Sequence, residues 1–217
     1  MIALKQSLIR RQNWEELCEL ANSSALSSWA TPEPFATAVG PSYSPGSAGS
    51  IFYVGKAGGP RISEVGHTLD QLAGAVASTR WMMERRNPSA FWSFADELCS
   101  DRSLMAWSNL AKIDTLVSRP PMGREWLQIE DICLKALEDE LTSLRPHKSV
   151  FTTLGYQQRA LEGYLSKAGF KEFSVPDTVR KVKAYRTADG GLAFITRHPQ
   201  GWASRDRDHA AQFILSV

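Results

Sequence analysis

An α/β fold, with helices on both faces of a mostly parallel sheet, is what this sequence predicts on three observations. Short runs such as Ile51–Gly55 (IFYVG) and residues 149–155 (SVFTTLG) are apolar at consecutive positions, as strands buried on both faces are. Segments of helical periodicity alternate with them, the longest over 124–144. Crossovers between such strands are nearly always right-handed, so the strand C-terminal ends share one edge of a three-layer sandwich.

Each element has its own signal. Residues 3–22 read as a helix with Leu17, Leu20 and Ala21 toward the core. Residues 23–50 are rich in Ser, Pro and Gly and read as irregular. IFYVG follows as a buried strand closed by glycine. A helical pattern over 61–86 carries Leu69, Leu72, Val76 and Met83, and Asn87-Pro88-Ser89 separates it from a second helix in SAFWSFADELC. SLMAWSNLAKI, residues 103–113, is the second strand. A long amphipathic helix over 124–144 places Ile129, Ile132, Leu137 and Leu141 on one stripe and stops at Arg145-Pro146. SVFTTLG is the third strand, and Gly169 ends a helix over 156–168. In residues 179–199, Asp189-Gly190-Gly191 is a turn between two strand-like runs, which makes a hairpin. An amphipathic helix over 207–215 closes the chain.

The 217 residues suit a single domain over 1–217, with 1–50 as an N-terminal helix and irregular segment and 51–217 as the core. An apolar share of 43% and a charged share of 22% are ordinary for a globular protein. The formal charge of +2 permits a nucleic-acid partner without demanding one, because clustering matters more than the total. No apolar run is long enough to span a membrane, and the start, MIALKQSLIRRQNWEELCEL, has too short an apolar core for a secretory signal. Cys18, Cys99 and Cys133 are odd in number and widely spaced, so they read as reduced core thiols of a cytoplasmic protein. Neither they nor His67, His147, His198 and His209 show ligand spacing, so no metal and no cofactor is expected.

Four strand ends then meet at one rim. The first strand runs into VGKAGGP (Val54 to Pro60), the second ends near Asn109, the third runs into LGYQQ, and the last delivers His198-Pro199. Each has a plain structural reading: glycines for a sharp turn, an asparagine as a turn or capping residue, an exposed loop histidine. Together they bring a glycine-rich bend, an amide and an imidazole toward the edge where open α/β sheets bind ligands. GKAGG is neither a P-loop nor G-x-G-x-x-G, and there is no G-x-S-x-G elbow.

A glycine-rich turn after the first strand, an asparagine near the second, RPHKSVFTTLG at the third and His-Pro after the last resemble the uracil-DNA glycosylase superfamily, over residues 51–202. The resemblance implies a central four-stranded, mostly parallel sheet between helical layers. It also implies a monofunctional DNA glycosylase, a monomer with DNA as partner, that flips a nucleotide into a pocket and breaks the bond between base and sugar. By that resemblance His198 donates a hydrogen bond to the departing base, Pro199 fixes its loop, and Asn109 reads the base edge. Gly55, Lys56, Ala57, Gly58 and Gly59 would line the base with backbone amides. Phe91 or Trp92 would stack on it, unless both belong to a buried aromatic stripe. Gln200 to Trp202 would wedge into the duplex. Arg197, Arg205 and Arg207 would hold phosphates or form a solvated surface.

Two departures bear on activity and substrate. Many members carry Asp, Glu or Asn in the first motif to orient the attacking water, where this chain has Lys56 and Ala57. Asp114 or Glu64 could take over that task, or the chain could bind nucleic acid without catalysis. Where uracil-specific members place a bulky tyrosine against C5 of the base, this chain has Gly58-Gly59. The expected substrate is therefore a C5-substituted pyrimidine, including the glucosylated hydroxymethylcytosine of phage DNA, with uracil as the smaller option. An unrelated α/β enzyme acting on a nucleotide is the third possibility.

Overall fold

A computed structural model describes residues 8–57, 89–117 and 119–217 of the chain. The strands are β1 (Ala38–Val39), β2 (Ile51–Gly55), β3 (Met105–Asn109), β4 (Lys148–Phe151), β5 (Lys171–Phe173), β6 (Val182–Arg186) and β7 (Leu192–Thr196). The helices are α1 (Arg11–Ala21), α2 (Ala90–Leu98), α3 (Arg124–Leu144), α4 (Gln158–Lys167) and α5 (Ser204–Ser216), with a short 3-10 turn at Arg102–Leu104. The helix expected over 61–86 lies outside the described residues.

The strands form one mixed sheet in the order β1-β3-β2-β4-β7-β6-β5. Its interior is the expected parallel set: β2 pairs in parallel with β3 and β4, and β4 with β7. The sheet is wider than the expected four strands. β1 adds to β3 antiparallel, β6 closes the hairpin on β7, and β5 adds to β6. β1 has two residues inside the Ser/Pro/Gly-rich segment, and β5 has three, with Lys171 and Glu172 exposed. Edges this short carry no hydrophobic alternation.

Both faces are covered, and the pleat decides what each side chain meets. Ile51, Tyr53, Met105, Trp107, Val150, Leu192 and Phe194 pack on one face with Trp92, Phe94 and Leu98 of α2 and Ala210, Ala211 and Ile214 of α5. Phe52, Val54, Ala106, Phe151, Ala193 and Ile195 pack on the other with α1, α3 and α4. This explains why the inner strands read as unbroken apolar runs.

Local chemistry fixes the helix ends. Ser89 Oγ caps α2 by accepting the Trp92 N–H at 3.3 Å. α3 stops where Arg145 turns left-handed and Pro146 cannot continue the helix. Gly169, at φ +85°, terminates α4, and the Phe170 N–H returns to the Leu165 carbonyl at 2.9 Å. Lys148 reaches from β4 to the last carbonyls of α5, those of Ile214 (2.9 Å) and Leu215 (3.1 Å). Among the described residues no helix is long and apolar enough to cross a membrane.

Candidate functional site

The register of the parallel strands brings their ends level. Gly55 stands opposite Asn109, and pairing continues past both, with Leu110 N–H on the Gly55 carbonyl and Ala111 N–H on that of Lys56, each at 2.9 Å. On the other side Thr152 N–H bonds the Val54 carbonyl, and Leu154 N–H bonds that of Thr196, both at 2.8 Å. The rim therefore carries Gly55, Asn109, Thr152 and Thr196 side by side, with His198 two residues beyond the last.

Gly55 and Asn109 belong to the face covered by α2. A Cβ built on Gly55 would overlap the Asn109 side-chain oxygen and lie 3.3 Å from the Phe91 ring. Only the missing side chain lets the carboxamide and the ring approach that closely. Beneath them is an aromatic floor: Phe91 lies 4.6 Å from Tyr53 and 6.3 Å from Trp107 between ring centroids. The Tyr53 hydroxyl donates to the Phe91 carbonyl at 2.9 Å and anchors the start of α2 to the sheet.

His198 completes the cluster. Its ring stacks on Phe91 at 5.8 Å and 20°. The Gln200 N–H donates to His198 Nδ1 at 3.3 Å, so a neutral ring carries its proton on Nε2. Burial pushes the imidazole down to about 4, and the neighbouring Lys56 charge lowers it further in the same direction. At neutral pH His198 is thus an uncharged donor through Nε2–H. Burial also lowers the Lys56 ammonium, with Arg197 as the second cause. Gly55, Lys56, Asn109, Phe91, Arg197 and His198, from four parts of the chain, share one place.

Several expected site residues lie elsewhere. Trp202 does not project as a wedge: it is buried, its indole packed edge-on against Phe94 at 5.7 Å. Apolar area that can be covered by α2 is more stable covered than exposed on a loop. Trp92 is buried against Trp107 at 4.8 Å with the Arg102 guanidinium 4.5 Å over its ring, which leaves Phe91 as the rim aromatic. Arg207 pairs with Glu97 at 3.6 Å, so it is an internal partner of α2. Arg197, Gln200 and Arg205 are exposed around the His198 loop, and Ala57 is partly buried beside the core. Asp114 is buried, its carbonyl accepting from the Thr31 N–H at 2.8 Å, and its charge helps to raise the Tyr156 phenol. Gly58, Gly59 and Glu64 lie outside the described residues.

One feature escaped sequence reading. Lys112, three residues past Asn109, is fully buried with Glu140 of α3, its Nζ 2.7 Å from both carboxylate oxygens and 2.5 Å from Ser108 Oγ. The Ser108 hydroxyl donates to the same carboxylate at 2.9 Å, and Thr37 donates to it as well. This network clamps the backbone on either side of Asn109 from the opposite face of the sheet. Among the described residues no group of three or more His, Cys, Asp or Glu could hold a metal ion. No family model matches the chain, and no curated protein matches it.

Proposed function

We propose that the chain is a DNA glycosylase of the uracil-DNA glycosylase type, which everts a pyrimidine and hydrolyses its N-glycosidic bond to leave an abasic site. The observation that carries this reading is the convergence of Gly55, Asn109, Phe91 and His198 on one rim, with the imidazole held neutral and its Nε2–H free of the Gln200 contact. The four inner parallel strands between helical layers also fit the fold that the resemblance implies.

In this mechanism the flipped base lies over Phe91 with its edge read by Asn109, whose amide offers a donor and an acceptor on adjacent atoms. As the bond to the sugar breaks, negative charge grows on the base, and the sugar becomes oxocarbenium-like. The His198 Nε2–H donates to that growing charge, a preorganised contact worth roughly 3 kcal/mol in comparable oxyanion sites. The positive charges of Lys56 and Arg197 add to the same effect. Arg197, Gln200 and Arg205 meet the DNA backbone, and the protein acts as a monomer.

The substrate is a C5-substituted pyrimidine, such as glucosylated hydroxymethylcytosine of phage DNA, because glycines follow Ala57 where bulk would exclude a C5 group. Duplexes containing uracil, hydroxymethyluracil or glucosylated hydroxymethylcytosine test it by mass spectrometry of released bases. Release from the substituted duplexes is expected; release of uracil alone would end the substituted-base assignment. Lys56 and Ala57 in place of a carboxylate favour a second reading, a binding module without catalysis. It requires tight DNA binding with no base released from any duplex.

A further inference from the structure

Where the backbone bonds of the chain before β2 go shows what that segment holds. Residues 29–42 run antiparallel along residues 103–116 as a strap. The Ser42 N–H donates to the Ser103 carbonyl and the Gly40 N–H to that of Met105, each at 2.9 Å. Val39 and Ala38 then pair with Ala106 and Trp107. Past the end of β3 the Phe35 N–H reaches the Lys112 carbonyl at 2.5 Å and the Thr31 N–H that of Asp114 at 2.8 Å. The Leu116 N–H returns to the Trp29 carbonyl at 2.7 Å. A Cβ on Gly40 would overlap the Ser103 backbone, so this approach needs a glycine. Asn109 stands in the middle of the segment held in this way.

Side chains tie the strap to α3 at that level. Thr37 donates to the Glu140 carboxylate, which also accepts from Ser108, the residue before Asn109, and from the Lys112 ammonium. The Lys112 N–H donates to Cys133 Sγ at 3.3 Å. Neither Lys112 nor Glu140 has exposed side-chain surface. Such a pair adds little net stability over apolar residues of similar volume, because desolvation offsets the attraction. What apolar residues lack is direction. Three donors converging on one carboxylate admit a single arrangement of the backbone around Asn109. We propose that Thr37, Lys112 and Glu140 are positioning residues, which fix the Asn109 carboxamide at the rim by locking the strap, β3 and α3 together behind it. The effect on base release rests on the glycosylase reading; the fixing of the backbone is independent of it.

Two variants separate position from stability. Lys112→Met with Glu140→Leu fills similar space without charge, and Thr37→Val removes only a hydroxyl, which Thr37→Ser restores. The full-length proteins are compared by thermal melting and by hydrogen exchange at the Leu110 and Ala111 amides, which bond the Gly55 and Lys56 carbonyls. Single-turnover release of a modified pyrimidine is measured with duplex affinity alongside. The double variant and Thr37→Val should melt close to wild type. Exchange at those two amides should nevertheless rise about tenfold, with the amides of β7 unchanged. Release should slow by about tenfold or more at unchanged duplex affinity. Thr37→Ser should match wild type in both readouts. Wild-type exchange at Leu110 and Ala111 in both variants would overturn the proposal, as would faster exchange spread evenly over the sheet. Wild-type release that the variants match removes the positioning role and leaves the glycosylase standing. A wild-type protein that releases no base removes the glycosylase reading, and exchange at Leu110 and Ala111 then decides by itself whether the three residues fix this backbone.

Discussion

His198 shows how a few contacts define a chemical state. The Gln200 N–H occupies Nδ1, and burial, with the Lys56 charge second, makes a proton on the ring unfavourable. The unfolded chain protonates this residue near the ordinary imidazole value of 6.5, whereas the native protein resists until about 4. Between those values the unfolded state binds more protons, so stability is lost as pH falls across the window. Replacing His198 by Gln removes this contribution, and the difference in melting temperature between pH 7 and pH 5 should narrow. Gly55 makes a second residue-level case. Gly55→Ala forces the Asn109 carboxamide aside, and a displacement of about 1 Å at a positioning group costs on the order of 100-fold in rate. Base release by this variant should fall to that extent while its melting curve stays close to wild type. Asn109 and His198-Pro199 were legible in sequence because each follows an apolar run that must be a strand. Trp202 was misread, because an indole in a Gly-containing loop among arginines gives no sign that Phe94 lies underneath.

Among the elements, β3 and α3 are joined most consequentially by the buried Lys112–Glu140 pair. Removing one partner strands the other charge in the core. Glu140→Ala should therefore lower unfolding free energy by about 3–5 kcal/mol, whereas the double replacement Lys112→Met with Glu140→Leu should recover most of it. Denaturant unfolding of the two variants decides the matter, and a double variant as unstable as the single one would refute the account. No sequence pattern could expose this pair: a lysine just past a strand reads as solvated, and its partner is 28 positions away. α3 itself was legible to the residue, because its stripe is long and Arg145-Pro146 marks its stop. The edge strands β1 and β5 were not, since they are held by the neighbouring strand's backbone rather than by a hydrophobic pattern of their own.

Across the whole molecule, a net charge of only +2 hides the pairing of Lys56 with Arg197 beside His198, and Arg205 is exposed at the start of α5. If this rim holds DNA, affinity must fall steeply with salt as bound counterions are displaced. Neutralising Arg197 or Arg205 should each reduce the slope of log affinity against log salt by about one, as fluorescence anisotropy would read. The layered α/β class was legible from strand and helix alternation, and so was the shared strand-end edge. The aromatic floor was not, because it depends on α2 packing across Tyr53 and Trp107. The most direct test of the central claim is single-turnover release of a modified pyrimidine from duplex DNA, comparing wild type with His198→Ala and Asn109→Ala. Release by the wild-type protein, with both variants slowed on the order of 100-fold or more, is the expected result. Wild-type release matched by either variant, or no base released from any duplex, would contradict the account.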